Sequence, residues 1–320
     1  MRTRRERWAF RSTAGSAIAI IFVFVLGSSL ASGGSISLSG LNLEGTSTMI
    51  SGGVLQLTNN LDPNPLGPPP AGSAWTTSTL NVASPFTVSF DFQMMDPAGH
   101  LDNDGSGGDG IAFLIQNSAA GDTALGEGAG GMGFLGIADS VAVMLDTYQN
   151  SSPDYYGDPS GNYISVNTQG TGVNVPHHYC MDGILTADLS IGTDVPAIPC
   201  TVNPTIGMTG TIPRLLDDGT VQNLTISYVP GSMSIFLDSA LVLTVPLDLA
   251  TTLDLAGGTN AFLGFTAGTR YSYQDQDIVD FSYSNTVPEP STASGCLGGM
   301  ALLSFLFIYR RNRKRAAGRI

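Results

Sequence analysis

Lysine is absent from this 320-residue chain until Lys314, and basic residues of either kind are scarce away from its ends. Of 13 in all, five precede residue 12 and six follow residue 309, leaving only Arg214 and Arg270 between them. Against those two stand 24 acidic residues once Glu6 and Glu289 are set aside, so the central body carries a net charge near −22. Such a surface repels nucleic acid and anionic membranes, while it suits cations and neutral sugars. Also missing are a long amphipathic helical pattern, a nucleophile-elbow serine and a glycine loop placed before a helix to cradle phosphate, which argues against the commoner hydrolase and nucleotide-binding classes.

What is present begins with the two ends. Arg2, Arg4, Arg5, Arg7 and Arg11 precede an apolar stretch from Ala17 to Leu30 and small residues at 31–35, the order of charges, greasy segment and cleavage site that marks a signal peptide over residues 1–34. At the other end Val287-Pro288-Glu289-Pro290 is followed by an apolar stretch from Cys296 to Tyr309 and a basic cluster at 310–315. Residues 286–320 resemble a PEP-CTERM sorting signal, which implies recognition by an exosortase-type enzyme and a transient membrane anchor. The apolar stretch is short for a span that needs about 20 residues, in keeping with processing. Export to the cell surface or extracellular matrix is therefore expected. An oxidising compartment would also permit a disulfide between Cys180 and Cys200, worth about 3 kcal/mol by loop-closure reasoning.

Between the ends the apolar pattern has period two. In Phe86–Met94, Phe86, Val88, Phe90, Phe92 and Met94 fall on one face and Thr87, Ser89, Asp91 and Gln93 on the other. Similar runs at 36–43, 110–116, 141–148, 163–168, 224–229, 234–237, 261–265 and 278–283 are separated by Gly, Pro, Asn and Asp clusters. Many short strands joined by turns predict an all-β domain over 35–285, a jelly-roll sandwich of two antiparallel sheets. Residues 60–72 read as a surface loop. Residues 170–214, with His177, His178 and both body cysteines, are the least strand-like and read as an insertion; its histidines are expected to be exposed rather than zinc-binding.

Three segments carry chemistry. Gly107-Gly108-Asp109-Gly110 delivers one carboxylate at the mouth of a strand. The glycine-rich stretch Gly130-Gly131-Met132-Gly133 leaves its backbone open to a ligand. Last, Asp146, Tyr148 and Asn150 leave a strand at every second position, with Asp154 and Asp158 in the loop beyond. Alternate residues leaving a strand can turn oxygens toward one point, as a cation taking six to eight oxygen ligands requires.

With these motifs, residues 36–284 resemble the legume-type (L-type) lectins, and the resemblance implies the concanavalin-like form of the jelly roll. It implies a Ca2+ site made by the Asp146 carboxylate, the Tyr148 carbonyl, the Asn150 amide oxygen and a carboxylate of the following loop, Asp158 in preference to Asp154. Plant members hold a transition metal beside the calcium with a Glu and a His, but the matching places here are Met144 and Tyr163, which argues against a second metal. The resemblance further implies a sugar site formed by Asp109, a backbone N–H at Gly131 or its neighbours, and Asn150. Arg270 and Tyr271, in the loop that sets specificity in the family, are further candidates, with Tyr273 beside them.

The expected function is carbohydrate binding without cleavage, toward a glycan or exopolysaccharide, and a homodimer is compatible with it. A structural or adhesive surface protein without sugar affinity is the alternative. A jelly-roll glycoside hydrolase is disfavoured because the strand positions flanking Asp146 are Met144 and Tyr148, so the partner carboxylate on that strand is missing.

Overall fold

The alternation in Phe86–Gly99 is realised as a strand whose side chains, from Phe86 to Met94, are buried and half-buried in turn. A computed structural model describes residues 34–285 apart from 65, 151–157, 182–183, 186–202, 211 and 213. Two eight-stranded sheets account for most of them. One runs in spatial order Ala240–Val245, Ser232–Leu237, Gln222–Val229, Phe86–Gly99, Ser272–Ser284, Leu55–Thr58 and Thr48–Met49, with Gly34–Ser35 also paired to Ser272–Ser284. The other runs Thr205–Met208, Tyr163–Thr168, Ser140–Asp146, Gly110–Gln116, Asn260–Gly268, Ala71–Trp75 and Asn42–Gly45, with Leu80–Asn81 paired to Asn260–Gly268. Every strand pair in them is antiparallel.

The inner faces of the two sheets share the main core. Its centre is a group of phenylalanine rings: Phe265 meets Phe90 at 5.0 Å and Phe281 at 4.9 Å between centroids, both edge-on, with Phe113 at 5.6 Å. Edge-to-face packing at this spacing suits the ring quadrupoles. A second apolar cluster, including Trp75, Leu114, Met132, Phe134, Met144 and Tyr163, lies on the other face of the second sheet. This explains why Gly110–Gln116 and Ser140–Asp146 are buried at every position and read as unbroken apolar runs: both of their faces are covered.

Some elements differ from the sequence reading. The expected strand over 36–43 is interrupted by a 3-10 turn at Leu38–Gly40, and strands at Leu55–Thr58, Ala71–Trp75 and Ala240–Val245 lacked a clean alternating signal. Within the expected insertion, Thr205–Met208 is a true edge strand, paired to Tyr163–Thr168 through a bulge. Cys200 lies outside the described residues, and so does the pairing expected with Cys180. The signal and sorting segments lie outside them too, except for residue 34. Among the described residues no helix is long and apolar enough to cross a membrane.

Candidate functional site

The register of the second sheet builds the site. Ala71, Gly268, Gly110, Asp146 and Tyr163 form one row of directly paired residues across five strands. Beyond that row the strands give way to loops, so Asp109, Thr147–Asn150, Asp158–Asn162 and Thr269–Tyr271 all leave the sheet at the same end. Gly110 has φ +128°, and a Cβ there would collide with the Leu145 carbonyl oxygen, so the residue after Asp109 must be glycine. The peptide bond between Gly108 and Asp109 is cis.

Asp146 and Asp158 each divide their oxygens between two directions. Asp146 Oδ1 accepts the Tyr148 N–H at 2.9 Å and Asp158 Oδ2 accepts the Asn150 N–H at 2.8 Å, both on the side of the loop after the strand. The other oxygens, Asp146 Oδ2 and Asp158 Oδ1, lie 3.9 Å and 3.6 Å from His178 Nδ1. Tyr163, which follows in the next strand, donates its phenol to Asp158 Oδ1. All of these side chains are buried, and ligand atoms of Asp146, Asp158 and His178 lie within 4.8 Å of one another.

Three of the acidic groups here have raised pKa values. Burial, and then the charges of Asp158 and Asp109, push the Asp146 carboxyl well above its ordinary range. Burial raises Asp109 to about 7, against the pull of His178 and with the help of Asp158. The Tyr163 phenol is likewise raised, by burial and by the two neighbouring carboxylates. Among the described residues, Asp146 Oδ2 and Asn150 Oδ1 are buried oxygens without a hydrogen-bond partner. Such orphans are costly in a protein interior unless something else satisfies them, and hard oxygens so gathered fit a calcium ion.

The sequence candidates come together unevenly. Asp109, Asp146, Tyr148, Asn150 and Asp158 converge, while Asp154 lies outside the described residues. The glycine loop packs on the same sheet end: Ala129 N–H donates to the Thr269 carbonyl, and Met132 lies against Gly110 and Gly268. Within it the Gly131 N–H donates to the Gly128 carbonyl at 3.0 Å and the Gly133 N–H to the Glu127 carbonyl at 2.8 Å, so both amides are engaged inside the loop. Arg270 and Tyr271 line a neighbouring cavity of about 270 Å³ with Asp62, Pro63, Gly99, His100 and Tyr273. The Arg270 guanidinium sits 5.0 Å from the centre of the Tyr271 ring, which stacks on His100 at 6.1 Å.

His178 corrects the sequence reading. Expected to be an exposed loop residue, it is 1% exposed and stands against two of the metal-ligand candidates. Its segment gave no alternating signal and its neighbours in space are far away in sequence, so only the double histidine itself offered a hint. His177 is half-buried and meets the Thr205 hydroxyl at 2.9 Å.

Comparison with known proteins adds three findings. The model of the legume lectin domain matches residues 35–297. A galactose-binding lectin of Arachis hypogaea is 36% identical over 135 residues, covering 39% of this chain and 45% of that protein; a non-seed lectin of Pisum sativum is 31% identical over 131 residues, 36% and 46%. The chain thus spans about half the length of these relatives. Among solved structures, the VIP36 exoplasmic/lumenal domain in its Ca2+/Man-bound form shares the fold with a TM-score of 0.51 at 16% identity, over 79% of this chain and 85% of that one. Lectin I-B4 from Griffonia simplicifolia, in a metal-free form, does so with a TM-score of 0.53 at 16% identity, over 77% and 93%.

Proposed function

This chain belongs to the legume lectin domain family, and on that premise we propose that it is an exported, calcium-dependent carbohydrate-binding protein that does not cleave its ligand. The observation that carries the reading is the convergence of Asp109, Asp146, Asn150 and Asp158 at one sheet end, where two buried oxygens have no hydrogen-bond partner among the described residues. The Asp146 and Asp158 carboxylates, the Tyr148 carbonyl and the Asn150 amide oxygen are the residues that would hold calcium. When bound, the ion supplies the positive charge that this buried acidic group lacks.

The chain's own residues then divide the work of holding a sugar. The Asp109 carboxylate accepts from sugar hydroxyls, and the Asn150 side-chain amide donates to them. With the amides of Gly131 and Gly133 engaged, the Gly130 N–H takes the backbone donor role in the glycine loop. Arg270 and Tyr271, which line the neighbouring cavity, would offer a stacking surface, Tyr271 being 56% exposed. Few, fixed polar groups give orientation, and groups held in place before binding lower its entropic cost.

Hydrolysis is disfavoured by access. Asp146 and Asp158 are close enough to resemble a catalytic pair, but they are 1% and 4% exposed and both accept N–H bonds from the loop beside them. A glycosidase needs both carboxyl groups open to the scissile bond. Met144, on the strand before Asp146, is packed in the apolar cluster and offers no acid.

Localisation follows from the ends: we read the chain as secreted, with a tail handled by an exosortase-type enzyme, and its ligand as a glycan or exopolysaccharide outside the cell. The relatives bear on ligand class, one being a galactose-binding lectin and one a structure solved in a Ca2+/Man-bound form. Probing a broad glycan array with the purified full-length protein, in calcium and in chelator, tests the proposal. Calcium-dependent binding to a defined sugar class is expected; a folded, calcium-loaded protein that binds nothing would favour an adhesive or structural surface role instead.

A further inference from the structure

The loops that carry the site are joined in a closed ring of hydrogen bonds. Asp102 Oδ2 accepts the Gln149 N–H at 3.0 Å, which fixes the loop before Asp109 to the stretch between Tyr148 and Asn150. Past the calcium loop, the Asn162 side chain donates to the carbonyls of Ile212 at 3.2 Å and Arg214 at 2.7 Å, and accepts the Leu216 N–H at 3.0 Å. The next residue, Asp217, accepts the Ser106 hydroxyl and the Gly107 N–H, each at 3.1 Å. Chain continuity from Gly107 to Asp102, pinned by the Asp102 N–H to the Ser106 carbonyl at 2.9 Å, closes the ring.

Asp109 stands two residues beyond the point that Asp217 grips. Gly107 is held at both of its peptide groups, because its carbonyl accepts the Thr147 hydroxyl at 3.1 Å, and a Cβ there would meet Gln274 Oε1 at 2.7 Å. Thr147 N–H in turn donates to the Asp109 carbonyl at 3.2 Å, and Asp109 N–H to the Gly268 carbonyl at 3.0 Å. Asp217 itself is 8% exposed, and among the described residues no basic side chain forms an ion pair with it. A buried carboxylate satisfied by neutral donors, the Ser106 hydroxyl, the Gly107 N–H and its own backbone N–H, is a costly way to pack a surface loop. Its side chain is engaged by Ser106 and Gly107, so what it gives the protein is the position of that loop.

We infer that Asp217 is a positioning residue for sugar recognition: through Ser106 and Gly107 it sets the Asp109 carboxylate at the height and angle from which it can share a sugar with Asn150. The inference deepens the carbohydrate-binding reading and rests on it. It assigns a role to the turn just after the expected insertion, a segment outside the residues assigned to sugar or metal. Because Asp217 grips the Asp109 side of the ring and Asp102 the calcium side, the two functions should separate on mutation.

The test measures calcium affinity and sugar affinity separately on the full-length protein and on Asp217→Ala, Ser106→Ala and Asp217→Asn. Asp217→Ala is expected to weaken sugar binding by about tenfold or more while calcium affinity stays within about twofold, as for a misplaced but intact binding group. Ser106→Ala should give a smaller loss, and Asp217→Asn, which keeps an acceptor for Gly107, a partial recovery. Sugar affinity unchanged in Asp217→Ala, or both affinities falling together, overturns the inference. If Asp217→Ala does not fold, Ser106→Ala carries the same comparison. If the wild type binds no sugar, the carbohydrate reading fails, and amide hydrogen exchange still decides this point: Asp217→Ala must speed exchange at Gly107–Gly110 and spare Tyr148–Asn150, and equal exchange in both proteins refutes it.

Discussion

Asp158 and Asn150 hold each other twice: the Asn150 N–H donates to Asp158 Oδ2 at 2.8 Å, and the Asp158 N–H donates to the Asn150 carbonyl at 3.4 Å. The two ends of the loop after Asp146 are therefore joined by the chain itself, and Asn150 Oδ1 is left buried with no hydrogen-bond partner among the described residues. A loop closed in this way keeps its ligands near their final places and lowers the cost of ordering them when the ion arrives.

Calcium should then raise stability by mass action. At a hundredfold excess over its dissociation constant, a ligand specific to the folded state adds about 2.7 kcal/mol. Thermal unfolding with calcium and with chelator reads this as a several-degree difference. Asn150→Ala should fold, lose most of that difference, and bind calcium at least about tenfold more weakly, since a ligand is removed outright rather than loosened. A melting temperature indifferent to calcium would rule out the site.

His178 predicts a second metal preference. Its 3.9 and 3.6 Å separations from the Asp146 and Asp158 oxygens are too long for hydrogen bonds and match the spacing of donor atoms around one ion. Imidazole nitrogen favours zinc-class ions over calcium. Competition against a chromogenic chelator should show that His178→Ala weakens zinc binding by about tenfold or more, with calcium binding kept. Equal zinc affinity in the two proteins would dismiss the role.

Acid should stabilise the metal-free protein over a defined window. Burial lifts the Asp217 and Asp277 carboxyls from 3.8 to about 6, so between about pH 4 and 6 the folded chain holds protons that the unfolded chain has released. Stability is then greatest below that window and is lost as pH rises through it, by at most roughly 3 kcal/mol for Asp217. Asp218 runs the other way: with Arg214 and Thr220 beside it the carboxyl is held to about 2, so its small contribution is lost only as pH falls below about 4. Denaturant unfolding in chelator at pH 5 and pH 7.5 should show the higher midpoint at pH 5, and Asp277→Asn should flatten the slope. A higher midpoint at pH 7.5 would contradict this.

What could be read ahead of the structure depends on where each signal lives. Phe86–Met94 advertised itself because one face meets the core and the other meets water, and Gly110–Gln116 because turns bracket a short apolar run. Ala71–Trp75 did not, since small residues fully buried on both faces carry no alternation. Asp146, Tyr148, Asn150 and Asp158 were readable because they stand at a short local spacing of the kind a cation taking six to eight oxygen ligands requires. His178 and Asp217 were not: both reach the site through tertiary contact from segments without a pattern of their own, and His178 meets carboxylates whose own motif ends well before it. The glycine loop lay between these cases, visible as glycines but with the donating amide decided only by which N–H groups the loop uses for itself.

Titration calorimetry decides whether sugar binds at the sheet end that carries Asp109, Asp146 and Asn150, using the sugar selected by glycan array and the calcium-loaded full-length protein, its chelated form, and Asp109→Asn. One sugar site per chain is expected, abolished by chelation and weakened by at least about tenfold in Asp109→Asn. Binding that persists unchanged without calcium and in Asp109→Asn would place the sugar elsewhere on the molecule and contradict the calcium-dependent site.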